Sequence, residues 1–142
     1  MGLLEIASNR SFWRGVDYYE AGKVSKWKKI DNYLYEARVT GSKTYDVVID
    51  VKHPKRSTCD CPHAERTRRV CKHKVALYLK VFPDELQRVM REIEEWEREE
   101  EDRRERERAE IKRYVYSLSK QELREQLLWR IIAEEEEDRN WY

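Results

Sequence analysis

Three cysteines and a histidine crowd the stretch CDCPHAERTRRVCKH: Cys59, Cys61, Cys71 and His73. They are all the cysteines of the chain and one of its three histidines. Thiolate sulfur and imidazole nitrogen together suit Zn²⁺, which takes four such ligands in a tetrahedron. Four protein ligands close the sphere and leave no position for water, so the expected role of the metal is structural, not catalytic. The spacing fits this chemistry. Residues two apart in an extended chain point the same way, so Cys59 and Cys61 can bind as a pair. In a regular helix Cys71 and His73 would diverge by about 200°. They converge only if Cys71 precedes the first turn and His73 lies inside it, where the helix N-terminus also favours the thiolate. The expected site is therefore strand end, loop, helix start. Other readings explain less. A redox pair at Cys59 and Cys61 ignores Cys71 and His73, and ordinary buried cysteines need no such clustering. His63 and His53 are alternative ligands, although Pro62 already turns the loop beside His63.

Such a site has to be held by regular elements on either side. Ser11 to Ala21 reads as a helix, with Phe12, Val16 and Tyr19 on one face, Ser11 as its cap and Gly22 as its left-handed end. Tyr33, Tyr35, Ala37 and Val39 alternate with other residues, as do Tyr45, Val47, Ile49 and Val51 beyond the turn-prone Gly41-Ser42. That period of two predicts an antiparallel hairpin, preceded by a shorter strand from Val24 to Trp27. After the loop from Lys52 to Val70 the spacing predicts a helix over 73–81, ending before Pro83. The expected fold class is α+β: an N-terminal helix, a small antiparallel sheet and a zinc knuckle with its helix in a ββα-like core. In a core this small, zinc binding would supply much of the folding free energy.

The rest of the chain has a different character. Leu86, Val89, Met90, Ile93 and Trp96 step at three and four, but EREEEDRRERERAE, from Glu97 to Glu110, holds one Ala and no larger apolar residue. The order Glu99–Arg103, Glu100–Arg104 and Asp102–Arg106 favours a solvated helix of about 45 Å over 84–113, with disorder over 97–113 as the rival reading. Ser119 and Glu122 fit a capping box for a C-terminal amphipathic helix whose stripe is Leu123, Leu127, Leu128, Ile131 and Ile132. The acidic run Glu134 to Asp138 is expected to close that stripe and fray, because carboxylates oppose the dipole at a helix C-terminus. The expected domains are 1–83, zinc-binding; 84–113, a charged helical spacer; and 114–142, a helical tail.

Charge follows the same division. Overall Lys+Arg 30 and Asp+Glu 29 give a net +1. Residues 1–80, however, hold 17 basic and 9 acidic side chains, net +8, and residues 81–142 hold 13 and 20, net −7. No apolar run approaches the roughly 18–20 residues of a membrane helix, and no charged leader with an apolar block opens the sequence. An odd number of cysteines excludes a closed disulfide framework, so reduced thiols in the cytoplasm are expected. No nucleophile–base pair, Gly-rich phosphate loop or open metal site is readable. The expectation is no enzyme and no small-molecule substrate.

The pattern C-x-C, a short loop, then C-x-H opening an apolar helix resembles a SWIM-type zinc finger of the prokaryotic kind. So do RGVDYYEAGKV (Arg14-Gly15, Tyr18-Tyr19, Gly22, Val24) and Val39-Thr40-Gly41-Ser42, in the same order. The similarity covers roughly residues 8–82. The segment from Tyr114 to Ile132 is similar to the helical tail that follows the finger in some members. The resemblance implies one structural zinc on Cys59, Cys61, Cys71 and His73. It also implies a binding module that contacts DNA, ahead of RNA, or other proteins, as in recombination accessory proteins.

The residues suggest where each partner would sit. Arg66, Arg68, Arg69, Lys72 and Lys74 surround the proposed metal, with Lys52, Lys55 and Arg56 on the approach, as a phosphate-contacting patch. Lys26, Trp27 and Lys28 would add stacking. The same cations could instead neutralise a site that three thiolates leave at −1. The alternative partner is a protein, or a second copy of the chain, docked on Leu123, Leu127, Leu128 and Ile131. The acidic rear half could also cover the basic front half and compete with nucleic acid.

Overall fold

The alternating residues build a four-stranded antiparallel sheet in the order β1-β2-β3-β4. In the computed structural model, which describes residues 2–141, the strands are β1 (Val24–Lys29), β2 (Leu34–Thr40), β3 (Thr44–Asp50) and β4 (Thr58–Cys59). Register places Tyr35 opposite Ile49, Ala37 opposite Val47 and Val39 opposite Tyr45. One face thereby gathers Tyr35, Ala37, Val39, Val47 and Ile49, all buried. Helix α3 (Lys72–Val81) packs on the sheet, and α2 (Asn9–Glu20) packs on α3. Val75, Ala76, Leu77 and Leu79 of α3 have no exposure. The α+β expectation holds.

Several boundaries differ from expectation, each for a local reason. Helix α2 starts at Asn9 and is capped by Ser8, whose hydroxyl accepts the Ser11 N–H. Ser11, expected as the cap, lies in the first turn and is buried. Its far end is as expected: Gly22 has φ +68, in the left-handed region. A short helix α1 (Leu3–Ile6) precedes it and buries Leu3. Strand β1 continues past Trp27 to Lys29 because Lys28 and Lys29 pair with Glu36 and Tyr35; a register shift between Ser25 and Lys28, with Lys26 at φ 52, absorbs the irregularity.

Helix α4 (Pro83–Ser117) opens with Pro83 and has Asp84 and Glu85 in its first turn, the placement that the missing proline N–H and the helix dipole favour. The chain divides into two compact units, Met1–Arg91 and Glu92–Tyr142. The first unit ends beyond residue 83 because Leu86, Val89 and Met90 pack against its core. In the second unit, residues 97–113 are helical within α4. Arg103 and Arg104 both bond to Glu100, the latter at 3.5 Å, so Arg103 takes Glu100 and not Glu99. Helix α5 (Lys120–Asn140) is capped by Ser119, which accepts the Glu122 N–H at 3.1 Å. It runs on through Glu134–Asp138, which were expected to fray. Glutamate propagates helix well, Arg130 bonds to Glu134 at 2.9 Å, and Arg139 stands in the last turn where the dipole favours a cation.

Candidate metal centre

Strand pairing delivers the first ligand. Cys59 lies opposite Val47 at the end of β4, and beyond it Asp60 accepts the Asp46 N–H at 2.9 Å. The chain then turns at Cys61, whose carbonyl accepts N–H bonds from Ala64 and Glu65. Thr67 ties the loop, donating to the Ala64 carbonyl at 3.1 Å and accepting the Arg69 N–H at 3.2 Å. Cys71 is the extended N-cap residue of α3, and His73 lies in the first turn. This is the strand end, loop and helix start that the spacing required.

The four ligand atoms lie within 4.8 Å of one another, and all four residues are buried. His73 Nδ1 stands 3.7 Å from Cys59 Sγ. A tetrahedral zinc with Zn–S of about 2.3 Å and Zn–N of about 2.0 Å puts S and N roughly 3.5 Å apart, so the spacing suits one shared ion. The imidazole is held between aromatic rings, Tyr45 at 4.7 Å and Tyr18 edge-on at 5.4 Å. Its Nε2 is the one buried side-chain nitrogen or oxygen among the described residues without a hydrogen-bond partner. Three thiols and an imidazole are poor material for a hydrophobic core and a suitable donor set for zinc.

The thiols do not titrate alike. The hydrogen bond between Cys59 and Cys71 holds Cys71 well below the ordinary thiol range and pushes Cys59 up; burial pushes Cys59 further. His73 and the Lys74 N–H also favour the Cys71 thiolate. Burial raises Cys61 as well. Of the three thiols, Cys71 at the helix N-terminus is thus the one whose surroundings favour the anion.

The expected contact residues fare differently. Lys74 is corrected: it has no exposure, and its ammonium donates to the Arg69 carbonyl at 2.6 Å, so it cannot meet an external phosphate. Burial pushes its pKa down while the neighbouring thiolates push it up. The aliphatic stem fills the interior and the charge stays beside three sulfurs. Arg66, Arg68 and Arg69 are exposed on the zinc loop, and Lys72 lies half-buried over the Tyr18 ring at 4.9 Å. Lys26, Trp27 and Lys28 stand elsewhere, on β1. Lys28 is bonded to Glu36 at 2.9 Å, and Lys26 and Lys28 share their groove with Glu36 and Asp46, so this patch carries mixed charge. Leu123, Leu127, Leu128 and Ile131 are all exposed on α5. His63 and His53 are outside the ligand cluster, and both are exposed.

Two features escaped the sequence reading. One is the pair of tyrosines that hold the imidazole, which only register and helix packing bring to His73. The other is Arg10 and Arg14 beside the ligands; their spacing of four, which shares a helix face, was the available signal.

No curated protein and no solved structure matches the chain. A model of the SWIM zinc finger family matches residues 45–82. That match is narrower than the 8–82 suggested by resemblance; it starts in β3, ends just after α3 and spans all four ligands. Residues 45–82 are a SWIM zinc finger, and Cys59, Cys61, Cys71 and His73 are the residues positioned in it to hold one zinc ion.

Proposed function

We propose that this chain is a non-catalytic accessory protein of the cytoplasm that binds nucleic acid, DNA ahead of RNA, through a zinc-stabilised module. The observation that carries the reading is a groove of about 550 Å³ beside the zinc loop, lined by Lys52, His53, Lys55, Arg56 and Arg68 with no carboxylate. Cations gathered with no carboxylate among the lining residues suit a phosphate backbone, which rewards each contact with released counterions. Zinc serves structurally: four protein ligands close its sphere, and the loop bearing Arg66, Arg68 and Arg69 is held between them. The three free cysteines suit a reducing compartment, and among the described residues no helix is long and apolar enough to cross a membrane.

Fluorescence anisotropy with duplex DNA, single-stranded DNA and RNA of one sequence, over a salt series, tests the reading. The logarithm of affinity should fall linearly with log salt, with a slope of about −0.9 per duplex phosphate neutralised. Zinc-loaded protein that leaves every probe free at low salt removes it.

The second reading is a protein-interaction adaptor, favoured by the exposure of Leu123, Leu127, Leu128 and Ile131 on α5. The partner would be another protein or a second copy of this chain, held by an apolar helix face. Sedimentation over a range of concentrations separates self-association from a monomer awaiting a different partner.

A further inference from the structure

Packing explains only half of the Arg14-Gly15 step in α2. Gly15 admits α3, but the Arg14 guanidinium has no hydrogen bond, ion pair or ring contact among the described residues, and neither has that of Arg10 one turn earlier. Both arginines line a cleft of about 260 Å³ together with Ser8, His63 and Lys72, and Cys61, Cys71 and His73 line it too. No carboxylate lines it.

The charge balance around this cleft is uneven. A zinc ion with three thiolates carries −1, and buried Lys74 beside it offsets that charge. Arg10 and Arg14 are left as two cations without partners among the described residues, lining one cavity beside Lys72, whose ammonium lies over the Tyr18 ring. Helix α3 adds the positive end of its dipole, because its N-terminus begins at Cys71. Guanidinium groups are the planar, multi-donor partners that phosphate oxygens select.

We propose that this cleft is an oxyanion site that takes one phosphate group, gripped by Arg10 and Arg14 beside Lys72. It lies partly on α2, outside the residues matched by the zinc finger family. It rests on the nucleic-acid reading only for the source of the phosphate, a backbone phosphodiester. Cys61, Cys71 and His73 border the cleft, so the site is tested in the metal-loaded protein.

The test is the full-length, zinc-loaded Arg10→Gln/Arg14→Gln variant. Both residues are exposed and Gln keeps a good helix propensity, so zinc content and Tm should stay at wild-type values. With duplex DNA as probe, the variant should bind roughly 10–100-fold more weakly at fixed salt. Its salt slope should be shallower by about 0.9. Wild-type binding with unchanged affinity and slope in the variant overturns the site and leaves the nucleic-acid reading standing. Inorganic phosphate, followed by NMR shifts of the α2 amides, is the second probe. Saturable phosphate binding lost in the variant, with no DNA binding by the wild type, upholds the site and overturns the nucleic-acid reading. Neither DNA nor phosphate binding by the wild type overturns both.

Discussion

Replacing Gly15 by alanine probes the contact that positions half of the zinc ligands. A Cβ at Gly15 would lie 2.4 Å from Val75 Cγ1, 2.5 Å from Val75 Cβ and 3.0 Å from the Lys72 carbonyl oxygen. Carbon atoms rest about 3.5–4.0 Å apart, so α2 and α3 would have to separate by about 1 Å. Rotating Val75 cannot relieve the clash, because its Cβ is fixed to the backbone and its branched side chain has one strongly preferred helical rotamer. The residue is fully buried. Overpacking of this kind costs about 1–3 kcal/mol or more, while Ala in place of a helix-interior Gly returns about 1 kcal/mol. Because the clash is with a fixed Cβ and a backbone carbonyl, the upper part of the overpacking range applies; a net loss of about 1–2 kcal/mol follows, which in a domain of this size lowers Tm by about 5–15 °C. The shift also acts on the metal. Lys72 lies between Cys71 and His73, so displacing it moves two ligands off the tetrahedron. Zinc-loaded Gly15→Ala should melt earlier by circular dichroism and yield zinc to a chelator at lower concentration. A Tm at or above the wild-type value would mean that α2 does not lie this close to α3, and the argument from Gly15 would fail.

Three further outcomes follow from the same geometry. Lys74→Met keeps the buried stem but removes the ammonium from the Arg69 carbonyl and from the thiolates; zinc affinity should fall by about 1–3 kcal/mol, as for a charged hydrogen bond. The salt slope of nucleic-acid binding should not change in that variant, and a shallower slope would return Lys74 to the contact surface. Zinc uptake at pH 8 should release about two protons and not three, because Cys59 and Cys61 are raised and hold theirs while Cys71 is already a thiolate. Affinity should therefore rise with pH, and calorimetry in buffers of different ionisation enthalpy counts the protons; a count of three would show Cys71 to be an ordinary thiol. Removing residues 97–142, which carry much of the net −7 of the rear half, should tighten DNA binding measured by anisotropy, and unchanged affinity would show that the acidic half does not compete.

How much was legible in advance differed by the distance over which each feature is set. Cys59, Cys61, Cys71 and His73 lie within 15 residues, and metal geometry is demanding enough that their spacing dictated a helix beginning after Cys71. The hairpin was equally legible, since a period of two states which side chains share a face, and Tyr35, Ala37, Val39, Val47 and Ile49 are buried together. Boundaries were less so. Ser8 and Ser11 are both competent caps, and only the path of the backbone selects Ser8. For Lys28, a lysine on a strand reads as a free charge until register places Glu36 across from it.

The sequence by itself thus determined the zinc quartet, the sheet that carries Cys59 and the apolar helix that carries His73, because each depends on neighbours within one element or one loop. Only tertiary structure decided the fate of the charges around the metal. Lys74 is turned inward because the zinc loop brings the Arg69 carbonyl to its ammonium. Arg10 and Arg14 reach the rim of the site because Gly15 lets α2 close on α3. Charge is a property of the residue, but burial and the company of other charges come from segments distant in sequence, and no local pattern encodes them.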